Sequence, residues 1–201
     1  MRIDRLMGVV AAVLAACDAG AGETPDAVDE TGPDAPSYSC WPPIELVARG
    51  TAELGTGDNT FEPIGEELEL PGGQGGFYLP LRMRMTGLTP GKPSDILFAG
   101  NPFTRVRAYL VDTGIPLSSS QRCGARFGYG PVDQAFETQV FPNLDACWRH
   151  DQLFGQRVRI ELEVSDSTGS LATDTKTVTL VAPPGYVDPP IGEEAPGCEA
   201  P

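Results

Sequence analysis

The chain has a single histidine, His150, among 201 residues. It contains no G-x-S-x-G and no H-E-x-x-H, which excludes the common serine-hydrolase and zinc-protease arrangements. No C-x-x-C pair occurs either, so the clustered thiolates of a structural zinc site are missing. Bases are scarce: 14 Lys+Arg stand against 28 Asp+Glu, a formal net charge of −14. That balance argues against nucleic acid as a partner and against close adsorption to anionic lipid. Helical periodicity is lacking throughout. The apolar run at residues 6–16 would make a helix of roughly 16 Å, half the hydrocarbon thickness of a bilayer, and so cannot span one.

What that run does offer is a leader. A short segment with Arg2 and Arg5 precedes it, and small residues end it, the signature of a secretory signal. Its last residues, Leu14-Ala15-Ala16-Cys17, resemble the lipobox of bacterial lipoproteins. That resemblance implies removal of residues 1–16, attachment of a diacylglycerol to the Cys17 thiol, and acylation of the new amino terminus by a fatty acid such as palmitate. Several acyl chains anchor firmly where one would be marginal. Ordinary cleavage near Ala19-Gly20-Ala21, releasing a secreted protein, is the competing reading. Asp18 resembles the residue that retains lipoproteins in the inner membrane of enteric bacteria, a position other bacteria read differently. The expected location is the cell envelope, anchored to the inner or outer membrane, with the domain in the periplasm or at the cell surface.

The acidity is concentrated at the ends. Residues 18–39 carry six acids and no base, and residues 183–201 carry four acids and no base. Residues 40–182 are left with 17 acids and 12 bases, a net of −5. Both end segments are rich in Pro, Gly and Ala and poor in large apolar residues, so they cannot offset the entropy of ordering. Residues 17–39 therefore read as a lipidated, disordered acidic tether and 183–201 as a Pro-rich acidic tail. The stretch 40–182 is long enough for one domain with its own core.

Four cysteines remain once Cys17 is set aside: Cys40, Cys123, Cys147 and Cys198. An even number in an exported protein points to disulfides, with three pairings open. Cys123 with Cys147 and Cys40 with Cys198 is the preferred pairing, since the second would bracket the domain. In the chain-entropy model these closures are worth roughly 3.5 and 5 kcal/mol before strain.

Alternation of apolar and polar residues predicts strands at 77–86 and 157–164, the latter with Val158, Ile160, Leu162 and Val164 inward. Further strands are expected at 44–54, 67–70, 104–112, 134–141 and 175–182, separated by turn formers at 55–59, 71–76, 90–93 and 166–169. About seven short strands so punctuated predict an all-β fold, an antiparallel β-sandwich. The last two strands resemble the closing hairpin of bacterial immunoglobulin-like domains, with Asp166 capping the turn and Gly169 supplying the permissive backbone. The order Glu53-Leu54-Gly55-Thr56-Gly57, Phe61-Glu62-Pro63, Gly72-Gly73-Gln74-Gly75-Gly76 and closing hairpin is similar to that of lipoproteins of the myxobacterial type. These relatives often place a His after the Gln-Gly-Gly, where this chain has Phe77-Tyr78. The resemblance implies architecture and location, and no activity.

Several residue groups invite a functional reading. The 72–76 glycines do not match a phosphate cradle, which follows a strand, opens a helix and presents a Lys; a bulge or tight turn accounts for them. His150 with Cys147 could form half a metal site, but a packing or surface role is the simpler account. Arg82, Arg84, Arg105, Arg107, Arg157 and Arg159 alternate on the wet faces of three strands. Side by side those strands would build a basic ladder for an acidic polysaccharide or protein segment. Pairing with Glu67, Glu69, Glu161 and Glu163 is the favoured alternative. Asp112, Asp166 and Asp174 could hold Ca²⁺ together, although turn capping explains them more simply, and no cofactor is expected. With no catalytic constellation in view, the expectation is a non-catalytic interaction or structural domain, its partner an envelope protein or polysaccharide. The alternative is a carbohydrate-binding module using Trp148, Tyr129, Phe127 and the arginine faces.

Overall fold

The computed structural model describes residues 45–73, 76–117, 125–144, 148 and 150–187, all within one unit of the chain. The leader, Cys17, the acidic tether, most of the tail and the four cysteines Cys40, Cys123, Cys147 and Cys198 lie outside these residues. So does the proposed disulfide pairing.

Among the described residues the fold is all-β, apart from one helical turn, α1 (His150–Leu153). The strands are β1 (Val47–Ala48), β2 (Thr51–Thr56), β3 (Glu62–Pro63), β4 (Glu67–Glu69), β5 (Gly72–Gly73), β6 (Gly76–Phe77) and β7 (Leu81–Thr86). They continue as β8 (Phe103–Leu110), β9 (Ala125–Arg126), β10 (Gly130–Val132), β11 (Ala135–Val140), β12 (Arg157–Ser165) and β13 (Ser170–Val181). One sheet, A, runs β1-β13-β12-β8-β9 with β4 also on β13; the second, B, runs β10-β11-β7-β2-β3; β5 and β6 form a separate ribbon.

Period-two burial carries the structure. On β12, Val158, Ile160, Leu162 and Val164 are fully buried, as the alternation predicts, and on β7 Leu81, Met83 and Met85 join them. Side chains from both sheets enter one apolar cluster, including Val178 and Leu180 of β13 and Ala52 and Leu54 of β2. Each fully buried Val, Leu, Ile or Met contributes roughly 1.5–3 kcal/mol of transfer free energy.

Three expected strands are broken or shifted, each for a local reason. The stretch 44–54 divides at Gly50 (φ 70°), where β1 in sheet A gives way to β2 in sheet B. A Cβ at Gly50 would lie 2.4 Å from the Thr86 carbonyl oxygen, so only glycine lets the chain switch sheets so close to β7. The stretch 77–86 is interrupted before Leu81, because Pro80 has no N–H for a ladder. The final strand begins at Ser170 rather than 175 and is twelve residues long.

The sheets are also not wholly antiparallel. The edge of β13 that faces away from β12 takes two parallel partners, β1 at Ser170–Leu171 and β4 at Thr179–Val181. Between them Asp174 Oδ2 accepts a hydrogen bond from the Leu54 N–H of β2 (2.8 Å), a link from sheet A to sheet B.

The closing turn matches its expectation. Gly169 has φ 88° and donates its N–H to the Asp166 carbonyl. The Asp166 carboxylate accepts from the Thr168 N–H, the Thr168 hydroxyl and the Ser170 N–H (2.9, 2.7 and 2.9 Å). Its other oxygen accepts from the Thr89 N–H (2.8 Å), beyond the end of β7. Burial would push this carboxyl up, but the hydrogen bonds from Thr89, Thr168 and Ser170 outweigh it and hold it down at about 2.

A carboxyl depressed on folding stabilises the fold above its unfolded pKa and loses that contribution as pH falls through the folded one. Asp166 should therefore supply about 2 kcal/mol at pH 7, lost between about pH 4 and 2. In urea unfolding, Asp166→Asn should be less stable than wild type at pH 7, and the difference should shrink by about that amount at pH 2. A constant difference across this range would show that the carboxylate charge is not what the turn uses.

Candidate functional site

A cleft of about 530 Å³ opens where β2, β7 and β11 meet β4. Its wall begins with the motif at residues 53–63. Gly57 (φ 102°) turns the chain, and a Cβ there would sit 2.1 Å from the Thr60 carbonyl oxygen. The chain then folds back so that Phe61 covers Gly55, where a Cβ would meet the ring at 2.4 Å. The same ring takes the Arg84 guanidinium at 4.1 Å from its centroid.

This fold-back buries Arg82, whose residue exposure is 8% despite its place on the outer face of β7. Its Nε donates to the Gly57 carbonyl (3.0 Å), Nη2 to the Asp58 carbonyl (2.6 Å) and Nη1 to Glu137 Oε2 (3.2 Å). Gln139 Nε2 donates to the same two carbonyls, at 3.1 and 2.9 Å. The turn that borders the cleft is thus held by four donor contacts from one arginine and one glutamine, with Glu137 neutralising the arginine.

Inside the cleft, Tyr78 and Phe141 meet edge to face, centroids 5.5 Å apart at 88°. Phe141 is 55% exposed. Around this pair stand Asp58, Glu62, Glu67 and Glu69, all exposed. None of the four has a described cation within ion-pair distance. Among the described residues no group of three or more His, Cys, Asp or Glu is close enough to hold a metal ion. The arrangement offers one apolar ring surface and several hydrogen-bond acceptors carrying negative charge, which suits a polyhydroxylated or cationic ligand.

The arginine ladder is not assembled. Arg82 and Arg84 lie on sheet B, whereas Arg105, Arg107, Arg157 and Arg159 lie on sheet A. On sheet A, Arg105 pairs with Glu163, Arg107 with Glu161 and Glu163 (3.3 and 3.2 Å), and Arg159 with Glu161 (3.1 Å). Cross-strand pairing is therefore the right account for Arg105 and Arg107, whereas Arg159 meets Glu161 along its own strand. On sheet B the partners differ from those expected: Arg84 takes Glu53 (2.6 Å) and Arg82 takes Glu137, so Glu67 and Glu69 are left for the cleft. β4 explains this, since it joins sheet A beside β13 and not the strand that carries Arg82 and Arg84.

Of the aromatic residues expected to meet a glycan, Tyr129 proves to be a core residue. Tyr129 is 1% exposed and its hydroxyl bonds to Thr104 (3.0 Å); burial pushes that hydroxyl well above its ordinary value, and the hydrogen bond offsets only part of this. Phe127 and Trp148 are half-buried against the core. No binding role was expected of Tyr78 or Phe141, although Tyr78 occupies a wet-face position of its alternating segment and Phe141 is the last apolar residue before Pro142.

Of the three aspartates, Asp166 and Asp174 are engaged in the contacts above, in different parts of the fold. The 72–76 glycines form the β5–β6 hairpin, with Gly73 opposite Gly76, which is the expected tight turn; its tip residues 74–75 lie outside the described ones. Cys147 and the side chain of His150 lie outside them too. Compared with protein-family models, curated proteins and solved structures, the chain finds no match.

Arg82→Met should leave the Glu137 carboxylate, 7% exposed, buried without its partner. A loss of about 3–5 kcal/mol in unfolding free energy is expected, with partial recovery when Glu137→Gln is added. A double-mutant cycle by chemical denaturation measures this; strict additivity would mean that the pair is not coupled.

Proposed function

We propose that this protein is a bacterial envelope lipoprotein, anchored through lipid on Cys17, whose domain at 40–182 is a non-catalytic interaction module. The observation that carries the binding role is the cleft: an exposed aromatic ring beside four carboxylates with no described cation to neutralise them. The anchor rests on Leu14-Ala15-Ala16-Cys17 after a leader too short to span a bilayer. Two sheets sharing one core, one of them edged by β1 and β4 running parallel to its last strand, support an immunoglobulin-like β-sandwich. Residues 17–39 serve as the tether and the cleft meets its ligand in the envelope.

Mass spectrometry of the native amino terminus checks the anchor directly. A terminus at Cys17 carrying acyl mass is expected, and Cys17→Ser should release the protein from the membrane fraction. An unmodified terminus near residues 19–21 would sink the anchor while leaving the binding reading standing.

A carbohydrate ligand is the second reading, favoured by the exposed Phe141 ring held against Tyr78. Sugar rings and cationic peptides both fit the cleft, and ionic strength separates them. For a neutral glycan, Phe141→Ala should weaken binding about ten-fold, with little effect of salt. For a cationic ligand, Glu67→Gln with Glu69→Gln should cause the larger loss, and added salt should weaken the wild type strongly. Titration calorimetry of the purified protein with oligosaccharides and with basic peptides reads both outcomes. A defined turnover by the pure domain, abolished by a point substitution, would overturn the non-catalytic reading.

A further inference from the structure

The segment at residues 87–102 joins β7 to β8 without regular structure, yet it is internally fixed. The N–H groups of Asp95, Phe98 and Asn101 donate to the carbonyls of Lys92, Asp95 and Phe98, each at 3.0 Å. Asn101, 3% exposed, accepts from the Lys92 N–H (2.6 Å) and donates to the Asp95 carbonyl (2.8 Å). Arg126 closes the segment by donating to the Ala99 carbonyl (2.7 Å), and the Lys92 backbone lies 2.5 Å from where a Gly128 Cβ would stand. Out of this fixed segment stand three consecutive large apolar side chains, Ile96, Leu97 and Phe98, exposed by 68%, 87% and 44%.

Their place in the fold is informative. Thr86, where this segment begins, pairs with Thr51, and Phe103, where it ends, pairs with Ser165. Thr89 is bonded to Asp166, and Val47 to Gly169. The segment therefore shares one end of the fold with β1, where the described chain begins. Val47 and Val132, exposed by 46% and 36%, sit at the same end. The cleft sits at the other end, beside Thr56, Leu81 and Glu69.

We infer that Ile96, Leu97 and Phe98 enter the surface of the bilayer to which the chain is tethered, so that the cleft faces away from it. The inference rests on the lipid anchor proposed above. A bilayer surface suits this feature because backbone groups near lipid need partners within the segment; the turn hydrogen bonds and the Leu97 N–H donating to Asp95 Oδ1 (3.2 Å) supply several, and the interfacial depth leaves the others within reach of water. Order in advance of contact removes much of the entropy cost of insertion. Three side chains bind lipid weakly by themselves, but a random chain of the length between Cys17 and Glu45 spans roughly 30 Å, which keeps the tip close to the membrane. Without residues 1–16 the chain has 27 acids and 12 bases, a net charge of −15, which favours a zwitterionic surface.

The test uses the full chain produced in a lipidating host and reconstituted into phosphatidylcholine vesicles with or without bromine on the acyl chains. Leu97→Trp and Val187→Trp each place an added indole at a highly exposed site, the first in the segment and the second following β13 at the cleft end. Thermal melts matching the parent show that both fold. The added emission of Leu97→Trp should shift to the blue and fall about two-fold or more with brominated lipid, while that of Val187→Trp should not change. Ile96→Asp combined with Leu97→Trp should abolish the quenching. Unquenched emission from Leu97→Trp overturns the inference, and a tip that serves a protein partner instead would give that result. The amino-terminal mass of the same sample reports the anchor separately. An acylated protein with an unquenched tip rejects the insertion alone, whereas a non-acylated chain rejects the anchor reading.

Discussion

The Asp166 carboxylate fixes how the two sheets meet. Apolar burial draws sheets together but has no direction, and it leaves them free to slide and rotate. Asp166 belongs to the β12–β13 turn of sheet A and grips the Thr89 N–H on the chain leaving sheet B. It does so while organising its own turn through Thr168 and Ser170, so one side chain sets both the hairpin and its docking. Asp174 adds a second link, placing a carboxylate on the Leu54 N–H in the stretch of β13 between its two short parallel partners. Lys176 sits 3.5 Å from the same carboxylate. Charged groups placed there also discourage another strand from adding to the edge.

The outer faces follow a different rule. Arginines on β8 and β12 are answered by Glu161 and Glu163, so much of the charge on that face is cancelled within it. On sheet B the hairpin between β2 and β3 folds over the face and draws Arg82 out of water. An arginine in that setting is structural: its donors are spent on Gly57, Asp58 and Glu137. The consequence for the cleft is indirect but definite, because the turn that Arg82 holds forms its border.

The two ends of the fold thus differ in chemistry. One carries carboxylates around an exposed aromatic pair and the other a fixed, exposed apolar segment beside the point where the described chain begins. Under the proposed anchor, such polarity would present the cleft in one direction, away from the tether.

Much of the fold was legible in the residues. Period-two alternation located β7 and β12, since a sheet face that meets a core must be apolar at every second position. Asp166 and Gly169 announced their turn, because few other residues provide a carboxylate cap and a left-handed backbone at that spacing. The site was far less legible. Arg82 resembles the other exposed arginines until the fold-back at Gly57 covers it, and Tyr129 resembles a ligand-binding aromatic until Thr104 and the core enclose it. Alternation shows which residues share a face of one strand and is silent on which strands are neighbours. The sequence by itself therefore determined strands, turns and the inward rows, all of which are local properties of the chain. Only the tertiary structure decided that the arginine strands separate into two sheets, that Glu67 and Glu69 join Phe141 at a cleft, and that the apolar tip shares an end with β1, because these depend on long-range pairing.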